Sequence, residues 1–439
     1  MTSQLRQHAR AIWDAAVDAA KPEPLVTSAI AELGDAIRSA RRIIVLGAGK
    51  AGAAMASAVE SALADRLDRV EGLVNVPADA VKPLKRIRLN AARPPATNFP
   101  TAEGVRGAEE MLRLASSAGR DDIALCLLSG GGSALLPAPA DGVTLEDKLA
   151  VTKLLHQCGA TINEMNAVRK HLSAIKGGRL AQAFAGRAMY SLIISDVVGD
   201  PLDVIASGPT APDHSTFRES LAILDRFGIT NRVPPAVLER LRCGIRGELA
   251  ETPKVTPTNV YNLMLGNNVK ALAAAQVTAE RLGYRVVNLG SCIEGETRQV
   301  AIVHAGIARS MREQGVPIAP PVCLLSGGET TVTLCEKPGK GGRNQEFVLA
   351  ALLKLGRLPD VVILSGGTDG EDGPTDAAGA CADAQSLDIA DAAGLVGEDF
   401  LRRNDAYRYF DATSDLLNTG LTQTNVMDVR VILIGPRTI

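Results

Sequence analysis

Short apolar runs that end near glycine alternate with amphipathic patterns along most of the chain. Residues 41–52 read RRIIVLGAGKAG, which predicts a strand, a glycine turn and the start of a helix. A helical spacing of apolar residues follows at Thr101–Ala118, and the run IALCLL at Ile123–Leu128 predicts a further strand. Such alternation is typical of a mainly parallel sheet flanked by helices. The pattern therefore predicts an α/β fold.

A break in the alternation indicates two domains. The stretch CGIRGELAETPKVTPT holds two prolines and two glycines and has neither a helical nor a strand period. The alternation then resumes, with a helix predicted at Arg343–Leu355 and a strand-like run, RVILIG, near the C-terminus. We predict a Rossmann-like N-terminal domain at residues 1–245 and a smaller α/β domain at residues 246–439.

The tetrapeptide LSGG occurs three times, at Leu128–Gly131, Leu325–Gly328 and Leu364–Gly367, and each copy follows an apolar run. We predict a turn at each copy, since glycine permits close backbone approach and exposed N–H groups in such turns bind anions. Ordinary glycine turns are the alternative. The predicted phosphate-binding residues are Gly47, Gly49, Ser129, Gly130, Gly131, Gly132, Ser133, Ser326, Gly327 and Gly328.

Charged residues beside these turns are the candidates for catalysis and substrate binding. Lys50 and Arg343 each lie at a predicted helix N-terminus, where a cation is unfavourable unless it meets an anion. Asp196 ends the strand-like run SLIISD, at the edge of the sheet where catalytic residues usually lie, and could act as a general base. Arg169 and Lys176 precede a glycine pair, where they could bind an anionic substrate or cap helix carbonyls.

Three aspartates are candidate ligands for a divalent metal ion. Asp369 and Asp372 lie in the glycine-rich stretch SGGTDGEDGPT, whose spacing does not match an EF-hand. Together with Asp196, they predict a site for Mg²⁺ next to bound phosphates. Turn-capping aspartates are the alternative.

Composition excludes some classes of protein. The chain has 439 residues, a formal net charge of −2 and 3% aromatic residues, which argues against nucleic-acid binding. No apolar stretch approaches the roughly 20 residues that span a membrane. Seven scattered cysteines without CxxC pairs favour reduced thiols, so we expect a cytoplasmic protein.

Eight motifs then occur in the order found in the glycerate 2-kinase family: GAGKA, LSGGGSALL, NAVRKHLSAIKGGRLA, SDVVGDPLDVIASGPT, LSGGETTVTL, GKGGRNQEF, SGGTDGEDGPTDAAGA and TNVMD. The resemblance covers nearly the whole chain, and the family's C-terminal portion is called the MOFRL domain. It implies two α/β domains with the active site in the cleft between them. It also implies transfer of the γ-phosphoryl group of ATP to D-glycerate, with Mg²⁺, giving 2-phosphoglycerate. The family's lysine, aspartate and arginine match Lys50, Asp196 and Arg343.

The chain departs from the family pattern at two places. Ala91–Gly104 lacks the histidine and aspartate of the family's GHPxPD stretch, and Leu421 and Gln423 replace the proline and glycine of GPTGTN. Similar proteins are also labelled hydroxypyruvate reductases. An NAD(P)H-dependent reductase is therefore the alternative, supported by GAGKAG but not by the residues after it, which lack the usual ribose-binding acid. A non-catalytic metabolite-binding protein is a third class, and a homodimer stays open.

Overall fold

The computed structural model describes residues 2–94 and 99–436. The chain divides into two compact units. One, which we call the N-terminal unit, is Pro22–Leu265. The other, which we call the C-terminal unit, combines Met1–Lys21 with Gly266–Ile439. Within the described ranges, no helix has the length and apolar character needed to cross a membrane.

The strands are, in chain order, β1 (Ile43–Ala48), β2 (Val70–Pro77), β3 (Ile87–Arg93), β4 (Ile123–Leu128), β5 (Ala188–Ile194), β6 (Val260–Gly266), β7 (Arg285–Asn288), β8 (Val322–Gly328), β9 (Val361–Gly367), β10 (Gly379–Asp383), β11 (Leu416–Leu417) and β12 (Asp428–Ile434).

The α-helices are, in chain order, α1 (Thr2–Asp18), α2 (Pro22–Glu32), α3 (Gly34–Ser39), α4 (Gly52–Ala62), α5 (Ala102–Ser116), α6 (Gly132–Leu135), α7 (Leu145–Gln157), α8 (Ile162–His171), α9 (Arg179–Ala183), α10 (Phe217–Arg226), α11 (Pro235–Ile245), α12 (Asn268–Arg281), α13 (Thr297–Gln314), α14 (Arg343–Leu355), α15 (Ala384–Ala392), α16 (Gly397–Arg402) and α17 (Ala406–Thr413).

The N-terminal unit is built on a six-stranded sheet in the order β3-β2-β1-β4-β5-β6. The pairs β2–β3, β1–β2, β1–β4 and β4–β5 are parallel. Strands β1 and β4 are buried along their whole length, as expected for central strands covered on both faces. The predicted mainly parallel α/β sheet is confirmed, and it brings the segments that follow β1, β4 and β5 to one edge.

The C-terminal unit has a mixed six-stranded sheet in the order β11-β10-β9-β12-β8-β7. Strand β12 lies between β8 and β9 and runs antiparallel to both. The β7–β8 pair is parallel, and β10 is antiparallel to β9. The unit is therefore a second α/β domain, as predicted.

Only the first LSGG copy forms the predicted turn. Strand β4 ends at Leu128, and α6 begins at Gly132. The second and third copies are not turns, because β8 and β9 continue through their last glycines. Both copies flank β12, where their serines lie opposite Arg430 and their final glycines lie opposite Asp428. The repeated sequence thus borders one charged central strand.

On the other face of this sheet, the first helix of the chain packs against Gly366. A β-carbon on Gly366 would lie 2.8 Å from Nε1 of Trp13, so a larger residue would displace the indole. The same Nε1 donates a hydrogen bond of 3.2 Å to the carbonyl oxygen of Gly366. Arg6 forms ion pairs with the buried Asp383 and Asp415. Helix α1 therefore packs within the C-terminal unit.

The division between the units differs from the boundary predicted after residue 245. Residues 246–265 belong to the N-terminal unit because β6 extends its sheet beside β5. Residues 1–21 belong to the C-terminal unit because α1 contacts α12, β9 and β12. The charged amphipathic pattern of α1 predicts a helix but does not say which sheet it covers.

Trp13→Ala is expected to lower the free energy of unfolding by about 3–5 kcal/mol, because it removes a buried indole and leaves a cavity over Gly366. Urea unfolding followed by circular dichroism measures the change. Val255→Ala serves as the control, since Val255 is 77% exposed and should change stability little. An equally small effect at Trp13 would contradict the docking of α1.

Candidate functional site

The turns that follow β1 and β4 are joined by hydrogen bonds that backbone N–H groups donate. The N–H of Lys50 donates to the carbonyl oxygen of Gly130 at 2.8 Å, and the N–H of Ala51 donates to Oγ of Ser129 at 3.1 Å. Because the parent strands are parallel neighbours, their carboxyl ends meet at this edge of the sheet. The residues Ser129–Ser133 are thereby fixed beside Lys50, and we call them the catalytic turn because the sequence predicts catalytic residues next to them.

Two other predicted phosphate-binding residues have a structural use. Gly47 lies inside β1, paired with Val74 on β2 and Leu127 on β4. The N–H of Gly49 donates to the carbonyl oxygen of Asn75 at 3.3 Å. Both glycines therefore serve the close packing of strands in the N-terminal unit.

Asp196 and Lys50 lie against adjacent glycines of the catalytic turn. A β-carbon on Gly130 would lie 2.1 Å from Oδ2 of Asp196, so only glycine leaves room for that carboxylate. A β-carbon on Gly131 would lie 3.4 Å from Cγ of Lys50 and 3.6 Å from Nη2 of Arg93. The turn therefore brings one carboxylate and two cations to neighbouring positions.

Ser133 closes the turn and is surrounded by polar groups. Arg169 donates to its Oγ, and Nζ of Lys176 donates to its carbonyl oxygen at 2.7 Å and to its Oγ at 3.1 Å. Its hydroxyl also lies 2.8 Å from that of Ser207, which donates to Oδ1 of Asn166 at 3.1 Å. Both predicted substrate-binding cations therefore contact the catalytic turn.

Three cations around the turn, Arg93, Arg169 and Lys176, have no negatively charged partner among the described residues. Burial lowers the pKa of Arg93 and of Arg169. Burial, reinforced by neighbouring cations, holds the pKa of Lys176 well below its usual range. Within the described part of the chain, none of the three forms an ion pair, and Nε of Arg93 has no hydrogen-bond partner. A bound anion would relieve this unfavourable charge, because buried ions are stable only when paired.

A strained segment supports this arrangement. Ala206, Ser207 and Gly208 have consecutive positive φ angles of 51°, 60° and 60°. Such a conformation costs on the order of 1–3 kcal/mol for each non-glycine residue and persists only where the surroundings impose it. Here the carbonyl oxygens of Ser207 and Gly208 accept hydrogen bonds of 3.0 and 2.7 Å from the N–H groups of Gly177 and Gly178. These two hydrogen bonds hold the strained segment in place, so the Ser207 hydroxyl stays on the catalytic turn.

In the C-terminal unit, Arg343 begins α14, as predicted. Its Nε donates to Oδ2 of Asp428 at 2.8 Å, and its Nη1 donates to Oε1 of Glu329 at 2.7 Å. Burial opposes the charge of Arg343, but Asp428 and Glu329 outweigh it and hold the pKa of the guanidinium above its usual value. Arg343 is therefore a firmly charged and oriented cation.

Asp428 is a buried carboxylate shared by several donors. Besides Arg343, it accepts from Nδ2 of Asn344 at 2.9 Å and from Nη2 of Arg430 at 3.2 Å. Arg430 is also buried, and burial lowers its pKa. One negative charge thus organises two cations and the first turn of α14.

The residues of the second LSGG copy are engaged within the sheet. Ser326 is buried, and its hydroxyl donates to Nε2 of His304 at 2.9 Å, while Nδ1–H of His304 donates to the carbonyl oxygen of Val300 at 2.8 Å. The N–H of Gly327 donates to the carbonyl oxygen of Gly290 at 2.8 Å. Ser326–Gly328 therefore border β12 as strand residues rather than forming an open anion-binding turn.

The aspartates predicted to bind a metal ion have separate surroundings. Asp372 is buried and accepts from the N–H groups of Asn344 and Gln345 at 3.0 and 2.8 Å, so it caps α14. Burial raises the pKa of Asp372 to about 7. The carbonyl oxygen of Asp369 accepts from the N–H of Thr422 at 3.2 Å. In residues 2–94 and 99–436, no group of three or more acidic, histidine or cysteine residues is placed to hold a metal ion.

The two departures from the family pattern lie in different units. Ala91–Arg93 belong to β3, and residues 95–98 of the first departure lie outside the described residues. Leu421 is 65% exposed, and Gln423 adopts a positive φ of 63°, a region that glycine enters without cost. Between them, Oγ1 of Thr422 donates to the carbonyl oxygen of Thr368 at 2.5 Å. The second departure therefore borders the loop that carries Asp369.

Sequence patterns missed four polar residues near the catalytic turn. Arg93 ends β3, whose mixture of charged and apolar residues concealed an edge strand. Asn166 and Ser207 lie in the quoted motifs, but only the fold brings them together. Lys148 lies on α7 among charged residues, yet it is buried and donates to the carbonyl oxygen of Ala138 at 3.3 Å. Of these four residues, only Arg93 had a sequence signal, which was its position at the end of a strand.

Fold and site define an α/β protein with a cation-lined glycine turn at the carboxyl edge of a parallel sheet. A model for a domain of unknown function, DUF4147, matches residues 8–242, and the MOFRL family model matches residues 322–428. The chain belongs to the glycerate 2-kinase family, as the sequence motifs predicted.

Individual relatives agree with this membership. The chain is 39% identical to a glycerate 2-kinase from Pyrococcus horikoshii, over 90% of this chain and 87% of that protein. It resembles the crystal structure of a glycerate kinase from Thermotoga maritima with a TM-score of 0.88 and 33% identity, over 98% of this chain and 100% of that one. A protein from Agrobacterium vitis with a provisional name of hydroxypyruvate reductase is 42% identical, over 98% of this chain and 94% of that protein.

Because of Lys148, we expect the free energy of unfolding to depend on pH. Burial, with a smaller effect of Arg169 and Arg240, lowers the pKa of Lys148 to about 7, whereas an unfolded lysine titrates near ~10.4. Between these values the unfolded chain binds more protons, so the free energy of unfolding rises with pH. From pH 7 to 9, the wild type should gain about 2 kcal/mol more than Lys148→Met in urea unfolding.

Lys153→Met is the matched control, because Lys153 is exposed on the same helix. It should keep the pH dependence of the wild type. If Lys148→Met kept it as well, the lysine would be charged and satisfied in the folded protein.

Asp428→Asn is expected to lower the free energy of unfolding by about 3–5 kcal/mol, because it leaves Arg343 and the buried Arg430 without their shared charge. Calorimetry and urea unfolding measure the loss. Asp391→Asn breaks the exposed ion pair with Arg357 and should cost less than about 1 kcal/mol. Equal effects of the two variants would refute the organising role of Asp428.

Proposed function

We propose that the chain is an ATP-dependent glycerate kinase that transfers the γ-phosphoryl group of ATP to D-glycerate and gives 2-phosphoglycerate. Membership of the glycerate 2-kinase family supports this reaction class. The single observation that carries the proposal is that Arg93, Arg169 and Lys176 lie around the catalytic turn and form no ion pair with the described residues. Substrates of such a kinase carry carboxylate and phosphate groups, which are the anions this cluster would stabilise.

The proposed reaction needs one proton acceptor. The hydroxyl oxygen of glycerate forms a bond to the γ-phosphorus, and the bond from that phosphorus to the β,γ-bridging oxygen breaks. The hydroxyl proton passes to the carboxylate of Asp196, which lies against Gly130 and is partly exposed. ADP leaves with the electron pair of the broken bond.

The remaining work is orientation and neutralisation of charge, which dominate phosphoryl transfer. We assign Lys50 and Arg343 to the charge on the transferring group, because each lies at the start of a helix and Arg343 is held by two carboxylates. Arg169 and Lys176 are assigned to the glycerate carboxylate through their position on Ser133. N–H groups of the catalytic turn are the proposed phosphate donors.

Mg²⁺ is proposed as the partner of the ATP phosphates. The described residues offer no three-ligand cage, so the protein by itself does not fit a resident metal ion. Mg²⁺ in such enzymes is commonly held by substrate phosphates and one or two carboxylates. Asp196 and Asp369 are the proposed carboxylates, and Asp372 is less suited because α14 occupies both of its oxygens.

One feature of the N-terminal unit disfavours the reductase alternative. A dinucleotide site of this type uses an acidic residue near the end of the second strand to bind the ribose. Asn75 occupies that place, is fully buried, and donates from Nδ2 to the carbonyl oxygens of Gly104 and Leu135 at 3.1 and 2.7 Å. Its amide is therefore committed to packing against α5 and α6.

Lys50→Ala, Asp196→Asn and Arg343→Ala are each expected to lower turnover at least about 100-fold, since each removes one charged group from the transition state. The measurement is ADP formation in a coupled assay with ATP, Mg²⁺ and D-glycerate. Circular dichroism and thermal unfolding establish that each variant is folded.

Matched exposed substitutions are Lys82→Ala, Asp391→Asn and Arg357→Ala, which should keep wild-type turnover. ADP formation must depend on glycerate. If the protein formed no ADP but oxidised NADH in the presence of hydroxypyruvate, the kinase would be refuted and the reductase supported. Ligand-dependent thermal stabilisation without either turnover would support a binding protein.

A further inference from the structure

The N-terminal unit contains a second polar cavity, away from Ser133. It has a volume of about 280 Å³, and its polar lining comes from Asp141, Ser173, Arg179, Gln182 and Arg240. One water molecule fills about 30 Å³ of liquid, so the cavity has room for a small polyatomic ion with its hydration. The proposed kinase reaction does not use it.

Arg179 provides hydrogen-bond donors that none of the described residues accepts. Its Nε and Nη2 are buried and have no partner, and the described residues provide it with no ion pair. Burial lowers its pKa, although Glu251 and Asp213 oppose the effect from a distance. An unpaired buried guanidinium donor is costly, and a carboxylate or phosphate oxygen is its usual partner.

Arg240 adds a second guanidinium to the same cavity. Its Nε donates to the carbonyl oxygen of His171 at 2.9 Å, and its Nη1 donates to that of Asp141 at 3.1 Å. Burial lowers the pKa of Arg240, and the charge of Arg179 lowers it further. Asp141 also lines the cavity, and its charge opposes this lowering of the Arg240 pKa. Two cations and one carboxylate leave the wall with a net positive charge.

We propose that this cavity binds a phosphate-type oxyanion between Arg179 and Arg240, as a site separate from the catalytic turn. The guanidinium groups of Arg179 and Arg240, both in the cavity wall, supply the positive charge that an oxyanion needs. Gln182 and Ser173 provide neutral polar groups at the wall. The ligand class is inorganic phosphate or the phosphate group of a small metabolite.

One short segment connects this cavity with the catalytic turn. Oγ of Ser173, in the cavity wall, accepts from the N–H of Lys176 at 3.2 Å and donates to the carbonyl oxygen of Ala138 at 3.1 Å. The side chain of Lys176 in turn contacts Ser133. An anion at Arg179 would therefore bind three residues along the chain from Lys176, which contacts Ser133.

Calorimetric titration with inorganic phosphate, at constant ionic strength, tests the binding claim without any turnover. The wild type should show a site that Arg179→Met weakens at least about tenfold, whereas Lys50→Met keeps it. Arg218→Met is the charge control, because Arg218 is exposed on α10. Since the buried nitrogens of Arg179 have no partner, Arg179→Met should stay as stable as the wild type without phosphate.

Unchanged phosphate affinity in Arg179→Met, or loss of the site in Lys50→Met alone, would overturn the proposal. Acetate should bind at least about tenfold more weakly than phosphate, and equal affinities would overturn the phosphate assignment. Crystals soaked with selenate should give an anomalous peak beside Arg179. A peak confined to Ser129–Ser133 would also overturn it. Failure of glycerate kinase activity leaves these binding outcomes unaffected.

Discussion

The structure depends on neighbouring segments packing closely where strands end in Ser-Gly sequences. In the N-terminal unit, the absent side chain of Gly130 leaves space for the carboxylate of Asp196. In the C-terminal unit, Gly366 leaves space for the indole of Trp13, and the paired final glycines of two strands flank Asp428. The LSGG sequence therefore places the carboxylate of Asp196 beside a turn in one unit and forms part of a packed, charged sheet in the other.

The two units differ in how their buried charged side chains are paired. Around Ser133, burial lowers the pKa of Arg169 and of Lys176, and neither forms an ion pair with a described residue, so a bound anion would relieve unfavourable charge. Around β12, Asp428 and Glu329 already satisfy Arg343. The first cluster is suited to binding, because its stability increases on occupation. The second is suited to orientation, because its guanidinium is held in place before any ligand arrives.

Sequence patterns predicted the elements whose apolar period is strong, including the full extent of α14 and the central strands β1 and β4. They missed β3, where charges interrupt the alternation, and β10, whose small residues have little strand preference. They also placed turns where β8 and β9 continue, because a glycine pair reads alike in a turn and in a tightly packed strand. The catalytic turn and its charged neighbours followed from motifs. The burial of Arg93 and Lys148 did not, since desolvation is a property of the fold.

The docking of α1 has a consequence for synthesis of the chain. Residues 2–18 leave the ribosome before the strands they pack against, because their contacts with β9 and β12 require residues up to 434. The N-terminal unit can complete its sheet once β6 has emerged, and domains generally fold as units during translation. The apolar face of α1, with its indole, therefore waits exposed while more than half of the protein is made. Its burial has to wait until β12 has been made.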